Sequence, residues 1–172
     1  MRGSDCGWSP DPRDDRCVDV TAELVAPCGV EELFTWVGDL ARYPAWLDIV
    51  PVAVPADPHP EDRGPAWSVD LRGQIGPLAR SKRLRMVRVL HQPPVSVRFE
   101  RVEHDGKDHS AWALEAAVEA LDTENGRPAS LLRMRMHYGG ALGGPIVEKL
   151  LADEITRSGP RLLALIDPAA DA

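Results

Sequence analysis

Arg101, Tyr138 and Glu154 carry the most chemistry in this chain. Arg101 ends the run Val97-Arg98-Phe99-Glu100-Arg101 and shares its parity with Val97 and Phe99. Tyr138 ends a similar run behind Leu132, Met134 and Met136. Glu154 and Ser158 fall by angle in the middle of an apolar helical stripe made by Val147, Leu150, Leu151, Ile155, Leu162 and Ile166. Side chains alternate across a strand and recur every 3.6 residues on a helix, so these groups are expected to face inward. A guanidinium, a phenol and a carboxylate around one space can anchor a ligand oxygen, polarise a carbonyl or move a proton. Arg101 and Glu154 form the sharpest pair. Their bland alternative is a salt bridge between sheet and helix, or an Arg at a cavity mouth.

Two cations, Lys82 and Arg88, share the inward parity of Leu84 and Met86. Buried charges cost several kcal/mol unless paired, so they are expected to face water, a ligand or a carboxylate. Trp46, Trp67, Leu84, Met86, Phe99, Trp112, Met134 and Met136 are candidate lining for an apolar cavity. Filling a core is their other reading. Arg83 and Arg85 point the opposite way, where they can meet Asp70.

Other chemistries lack support. No His has a nucleophile and a carboxylate at triad spacing, and all five His are placed in loops or on the outer face. Gly139-Gly140-Ala141-Leu142-Gly143-Gly144 has no phosphate-loop Lys, and reads as a joint between sheet and helix. Cys6, Cys17 and Cys28 form no C-x-x-C pair, so no metal is expected. No cofactor is expected either. The basic run 80–88 is split between two faces by alternation, which makes it a solvated face.

The elements that must hold these groups follow from periodicity. Strand character appears at 17–25, 49–54, 66–75, 78–90, 95–104, 109–121 and 129–138. Residues 30–37 and 39–43 read as short helices, the second ended by Pro44. Residues 55–65 form a Pro-rich loop, and Asn125-Gly126 marks a hairpin turn. One amphipathic helix closes the chain, with a kink expected at Gly159-Pro160. The fold class is α+β: a curved antiparallel sheet wrapped around a long C-terminal helix. We expect an extension at 1–16, one domain at 17–167 and a tail at 168–172.

The chain has 172 residues, is 44% hydrophobic and 27% charged, and carries a net charge of -7. That suits one domain and argues against general nucleic-acid binding, which needs surplus Lys and Arg. No apolar run is long enough to span a bilayer, and residues 1–6 have no signal-peptide character. A cytoplasmic monomer or homodimer is expected, with a hydrophobic small molecule as partner.

Several stretches carry a family resemblance. They are Val25-Ala26-Pro27, Tyr43-Pro44-Ala45-Trp46, the run 80–88 and the run 97–103. With the element order, they resemble the helix-grip fold of the START-like or SRPBCC superfamily, which includes polyketide cyclases, Bet v 1-like proteins and lipid-transfer domains. The resemblance covers 17–167. It implies a hydrophobic cavity between sheet and long helix, for a polyketide, lipid or aromatic metabolite. It leaves open a cyclase/aromatase enzyme using that cavity, with Arg101, Tyr138 or Glu154 acting. It also leaves open an interaction or regulatory module with a collapsed pocket, because function belongs to the site and not the fold.

Overall fold

The computed structural model describes residues 17–75, 78–123, 126–139 and 144–166. Seven strands make one antiparallel sheet in the order β1-β7-β6-β5-β4-β3-β2. They are β1 (Cys17–Ala26), β2 (Val52–Pro55), β3 (Ala66–Ile75), β4 (Leu78–Gln92), β5 (Ser96–Arg101), β6 (Ala111–Leu121) and β7 (Ala129–Gly139). β1 pairs with the last strand, so the first and last strands of the domain meet. The segment between β1 and β2 holds α1 (Val30–Val37) and a 3₁₀ helix (Leu40–Ala45). After β7 comes α2 (Gly144–Ile166), which packs mainly along β1 and reaches β3 and α1.

α1 forms where Val30, Leu33, Phe34 and Val37 recur at helical spacing. Leu33, Phe34 and Val37 are buried, and Glu31 and Glu32 sit in the first turn, where the helix dipole favours acids. Gly38 closes the helix by donating its N–H to the Phe34 carbonyl at 2.8 Å. Any Cβ at 38 would run into Phe34.

The sequence places Pro44 after the second short helix, but Pro44 lies inside it. A fixed φ suits a 3₁₀ turn. The Trp46 and Leu47 N–H groups both donate to the Tyr43 carbonyl, at 3.1 and 2.8 Å. Asp39 caps the other end by accepting from the Ala41 N–H at 2.9 Å. The Tyr43-Pro44-Ala45-Trp46 stretch is therefore a packing device. Tyr43 is fully buried and donates its hydroxyl to the Val37 carbonyl at 2.9 Å. Its ring lies 4.9 Å from Trp46 and 6.2 Å from Phe99. Burial pushes the Tyr43 phenol well above its ordinary pKa.

Strand boundaries moved most in two places. The strand expected at 49–54 starts only at Val52, because Ile49 and Val50 are buried in the turn that leads into it. The strand expected at 95–104 is shorter, Ser96–Arg101. Val95, at the expected start of that strand, lies in the turn after Gln92 and is exposed. A register shift between Arg88 and Leu90 marks a bulge in β4, a feature that bends a strand.

One face of the sheet forms the core with α1, the 3₁₀ helix and α2. Val18, Val20, Trp67, Val69, Leu84, Met86, Val97, Phe99, Leu114, Ala116, Val118, Leu132, Met134 and Met136 are all buried there. The other face is laced with ion pairs, among them Arg83–Asp70 at 2.7 Å, Arg98–Glu100 at 2.7 Å, Arg133–Glu23 at 2.8 Å and Arg135–Asp19 at 2.9 Å. Exposed pairs of this kind contribute about 1 kcal/mol or less each. The expected extension 1–16, the joint at 140–143 and the expected tail 168–172 lie outside the described residues.

Candidate functional site

Two voids on the inner face, formed by described residues, differ in size. The first sits over the middle of the sheet, among Leu40, Leu47, Leu84, Met86, Trp112 and Met136, and measures about 30 Å³. That is room for about one water. The centre of the sheet is filled.

The second void lies between the flank of α2 and strands β1 and β7. It measures about 280 Å³ and is lined by Trp46, Met134, Ser158, Gly159, Pro160 and Leu162 among others, with Glu23 and Thr156 adding polar groups to the wall. Local sequence explains it. Gly159 has no side chain, and a Cβ there would come to 3.4 Å from Leu24 Cδ1. Pro160 has no N–H to bond the Thr156 carbonyl one turn earlier, so the helix ladder has a gap at this point. Ser158 is 2% exposed and donates its hydroxyl back to the Ile155 carbonyl at 2.8 Å.

The candidate residues divide between these places. Trp46, Met134 and Ser158 line the larger void. Leu84, Met86, Trp112 and Met136 line the small one. Trp67 and Phe99 line neither. They pack edge-to-face at 5.6 Å in the core. Tyr138 also lines neither, and is half-buried with its ring 4.7 Å from Trp112. Lys82 is exposed at its site opposite Leu71. Arg88 donates to the Gly38 carbonyl at 3.2 Å and lies over the Trp67 ring at 5.8 Å.

Arg101 and Glu154 are both buried, but they do not meet. Arg101 has a side chain only 6% exposed, and its guanidinium is shared out at the end of the sheet. Nε donates to Glu103 at 2.8 Å, Nη1 to the Ser110 carbonyl at 3.3 Å, and Nη2 meets His109 Nδ1 at 3.1 Å. Those partners come from the loop that links β5 to β6. Glu154 is held from its own helix, by Arg157 at 3.1 Å and Arg161 at 3.9 Å. Arg161 reaches in turn to Asp48 at 2.7 Å. The salt bridge between sheet and helix is therefore absent, because each group finds nearer partners of opposite charge.

A polar hub that the sequence did not reveal lies on the outer face. The Pro-rich loop folds back over β3 and β4 and covers Ala66 and Val87, both buried. Asp62, its side chain 4% exposed, accepts two bonds from Arg85, at 2.9 and 2.6 Å, and pairs with His104 Nε2 at 3.1 Å. Arg85 also donates to the Asp57 carbonyl at 2.8 Å. The Arg85 guanidinium beside Asp62 holds its carboxyl well below the usual carboxylate range. Arg85 was read as a partner for Asp70, but Arg83 takes Asp70 alone.

His59 and His104 stack in the same hub, with ring centroids 3.5 Å apart. With Glu61 they place three ligand-type atoms within 4.8 Å of one another. Metal coordination needs in-plane lone pairs that converge, and rings stacked within 15° send theirs side by side. His59 Nδ1 already accepts the Glu61 N–H at 3.3 Å. This group works as a clasp between the loop and the end of β5. No local motif could have marked it, since His59 and His104 meet only through the fold. Cys28 is buried and unpaired, and burial raises its thiol pKa.

No protein-family model matches this sequence, and no curated protein is detectably similar to it. Solved structures do match the fold. A START superfamily protein from Mycobacterium smegmatis superposes with a TM-score of 0.66 at 16% identity, over 87% of this chain and 97% of that one. The di-domain ARO/CYC StfQ from the steffimycin biosynthetic pathway gives 0.61 at 15% identity, over 94% of this chain and 54% of that one. This chain thus spans about half of the di-domain protein. Protein CV1439 from Chromobacterium violaceum gives 0.59 at 14% identity, over 87% and 97%. No helix among the described residues is long and apolar enough to cross a membrane.

Proposed function

We infer from the START-like, SRPBCC-type helix-grip fold that the chain holds a hydrophobic ligand. We propose that it binds a hydrophobic small molecule in the cavity between the flank of α2 and strands β1 and β7. The observation that carries this reading is the void of about 280 Å³ at Gly159-Pro160, walled mainly by apolar side chains. Small-molecule sites are concave and mostly apolar, with a few polar groups, and this void sits near the lower end of their size range.

Native mass spectrometry of the purified chain tests the reading. The expected result is a retained apolar molecule, or uptake of one from a hydrophobic library with a rise in melting temperature. Ala22→Phe puts bulk into the cavity from β1 and is expected to abolish uptake while the fold persists. Uptake unchanged by that substitution would place the ligand elsewhere.

A cyclase or aromatase reaction in the same cavity is the second reading. It draws support from the fold shared with an ARO/CYC protein. Such chemistry needs a proton donor or carbonyl-polarising group in the wall, and Arg101, Tyr138 and Glu154 are absent from the lining. On the binding reading, Tyr138→Phe and Glu154→Gln leave ligand affinity within about twofold. A changed product profile from a poly-β-ketone in either variant would favour catalysis.

A further inference from the structure

The helix wall of the cavity carries an acceptor that its own ladder leaves open. In an α-helix each carbonyl points along the axis at the N–H four residues on, between the side chains at i+3 and i+4. For Thr156 that partner is Pro160, which has no N–H and whose ring crowds the carbonyl and turns it off the axis. The next N–H, at Arg161, belongs to the Arg157 carbonyl in the same ladder. Thr156, Gly159 and Pro160 all line the void, and Thr156 and Pro160 are exposed rather than packed over. The Thr156 carbonyl therefore lies on the face of α2 that bounds the void, with no side chain at 159 to cover it.

The rest of the helix wall asks for the same kind of partner. The Thr156 hydroxyl donates to the Ala152 carbonyl at 2.9 Å and the Ser158 hydroxyl to the Ile155 carbonyl at 2.8 Å, so both hydrogens are used within the helix. Charge narrows the class further. Among the described lining residues Glu23 alone is ionisable, and its exposed carboxylate is already paired with Arg133 at 2.8 Å. No Lys, Arg or His is among them. A ligand carboxylate or phosphate would meet acceptors and no cation, which desolvation makes costly. This is the reverse of what an inward-facing Arg101 implied.

We propose that the ligand is a neutral, compact apolar molecule bearing a hydroxyl group, and that this hydroxyl donates a hydrogen bond to the Thr156 main-chain carbonyl freed by Pro160. The inference rests on the binding reading above and deepens it. Pro160 is then a specificity-determining residue that acts through the backbone, because it keeps the acceptor open. A site that bonds a hydroxyl discriminates against analogues that lack one.

The test is calorimetric titration of the purified chain with four probes on one skeleton: fluorene, 9-fluorenol, 9-fluorenone and fluorene-9-carboxylate. The expected order is fluorenol tightest, fluorene and fluorenone about tenfold weaker, and the carboxylate weakest. Pro160→Ala restores the missing N–H and should bring fluorenol down to the affinity of fluorene. If the straighter helix closes the cavity to every probe in that variant, the wild-type order still decides. The Thr156 carbonyl carbon resonance decides with it, and should move downfield with fluorenol and not with fluorene. Fluorene or fluorenone binding as tightly as fluorenol would overturn the inference and leave the cavity reading standing. So would a fluorenol preference undiminished in Pro160→Ala. Tightest binding by the carboxylate would overturn the neutral class. Binding by none of the four would remove both the cavity reading and the inference.

Discussion

The centre of the sheet and the flank of α2 are built from the same kinds of residue, yet one is packed solid and the other is open. At the centre, Leu84, Met86, Trp112 and Met136 meet Leu40 and Leu47 and leave about 30 Å³. At the flank, Leu24, Leu132 and Met134 face Gly159 and Pro160 and leave about 280 Å³. Apolar composition therefore does not decide where a cavity forms. Missing volume on one wall decides it, here a glycine beside a proline that breaks the helix ladder.

The strongest way to break this comparison is to attack the centre. Phe99→Ala removes a fully buried ring that touches Trp67 and Tyr43, and should cost about 3–5 kcal/mol in chemical denaturation. A loss below about 1 kcal/mol would mean that the centre is not close-packed.

The outer hub serves as a control, because it lies away from both voids. Asp62→Ala leaves the Arg85 guanidinium without its carboxylate, and should cost about 2 kcal/mol while ligand affinity stays unchanged. Its effect has a pH signature. Asp62 is depressed below its unfolded pKa of about 3.9, so its contribution is complete above that pH and fades as acid protonates it. Acid titration should show the wild type losing its margin over Asp62→Ala as pH falls below about 4. A constant margin would contradict the assignment.

A smaller effect is expected at the flank. Gly159→Ala adds a methyl group at ordinary contact distance from Leu24 and removes helix-interior backbone freedom. It should raise stability by about 0.5–1 kcal/mol in denaturant titration and weaken ligand binding at the same time. Opposite signs in stability and affinity are what an open flank requires. The least perturbing probe is Cys28. Its raised thiol pKa and burial predict negligible labelling by a disulfide reagent at pH 8 until the chain unfolds.

The sequence was most legible where periodicity spoke. Val30, Leu33, Phe34 and Val37 marked α1 to the residue, and alternation in 66–75 and 129–138 marked both strands and their inner faces. Glu154 and Ser158 were placed on the buried stripe of α2 by angle alone, and both are buried. Their partners were not legible. Parity tells which way a side chain points but not what stands opposite. Arg101 faces the core side and is met by Glu103 and His109 across a hairpin, not by Glu154 across the domain. The Asp62 hub was hidden for the same reason, since it depends on a Pro-rich loop folding back onto β4. Gly159-Pro160 fell at the candidate site, together with Trp46, Met134 and Ser158.

The most direct test of the account is a crystal structure of the chain grown with 9-fluorenol. The account predicts ligand density in the flank cavity, against Met134 and Pro160. Density among Leu84, Met86 and Met136 at the sheet centre, or an empty flank at saturating ligand, would contradict it.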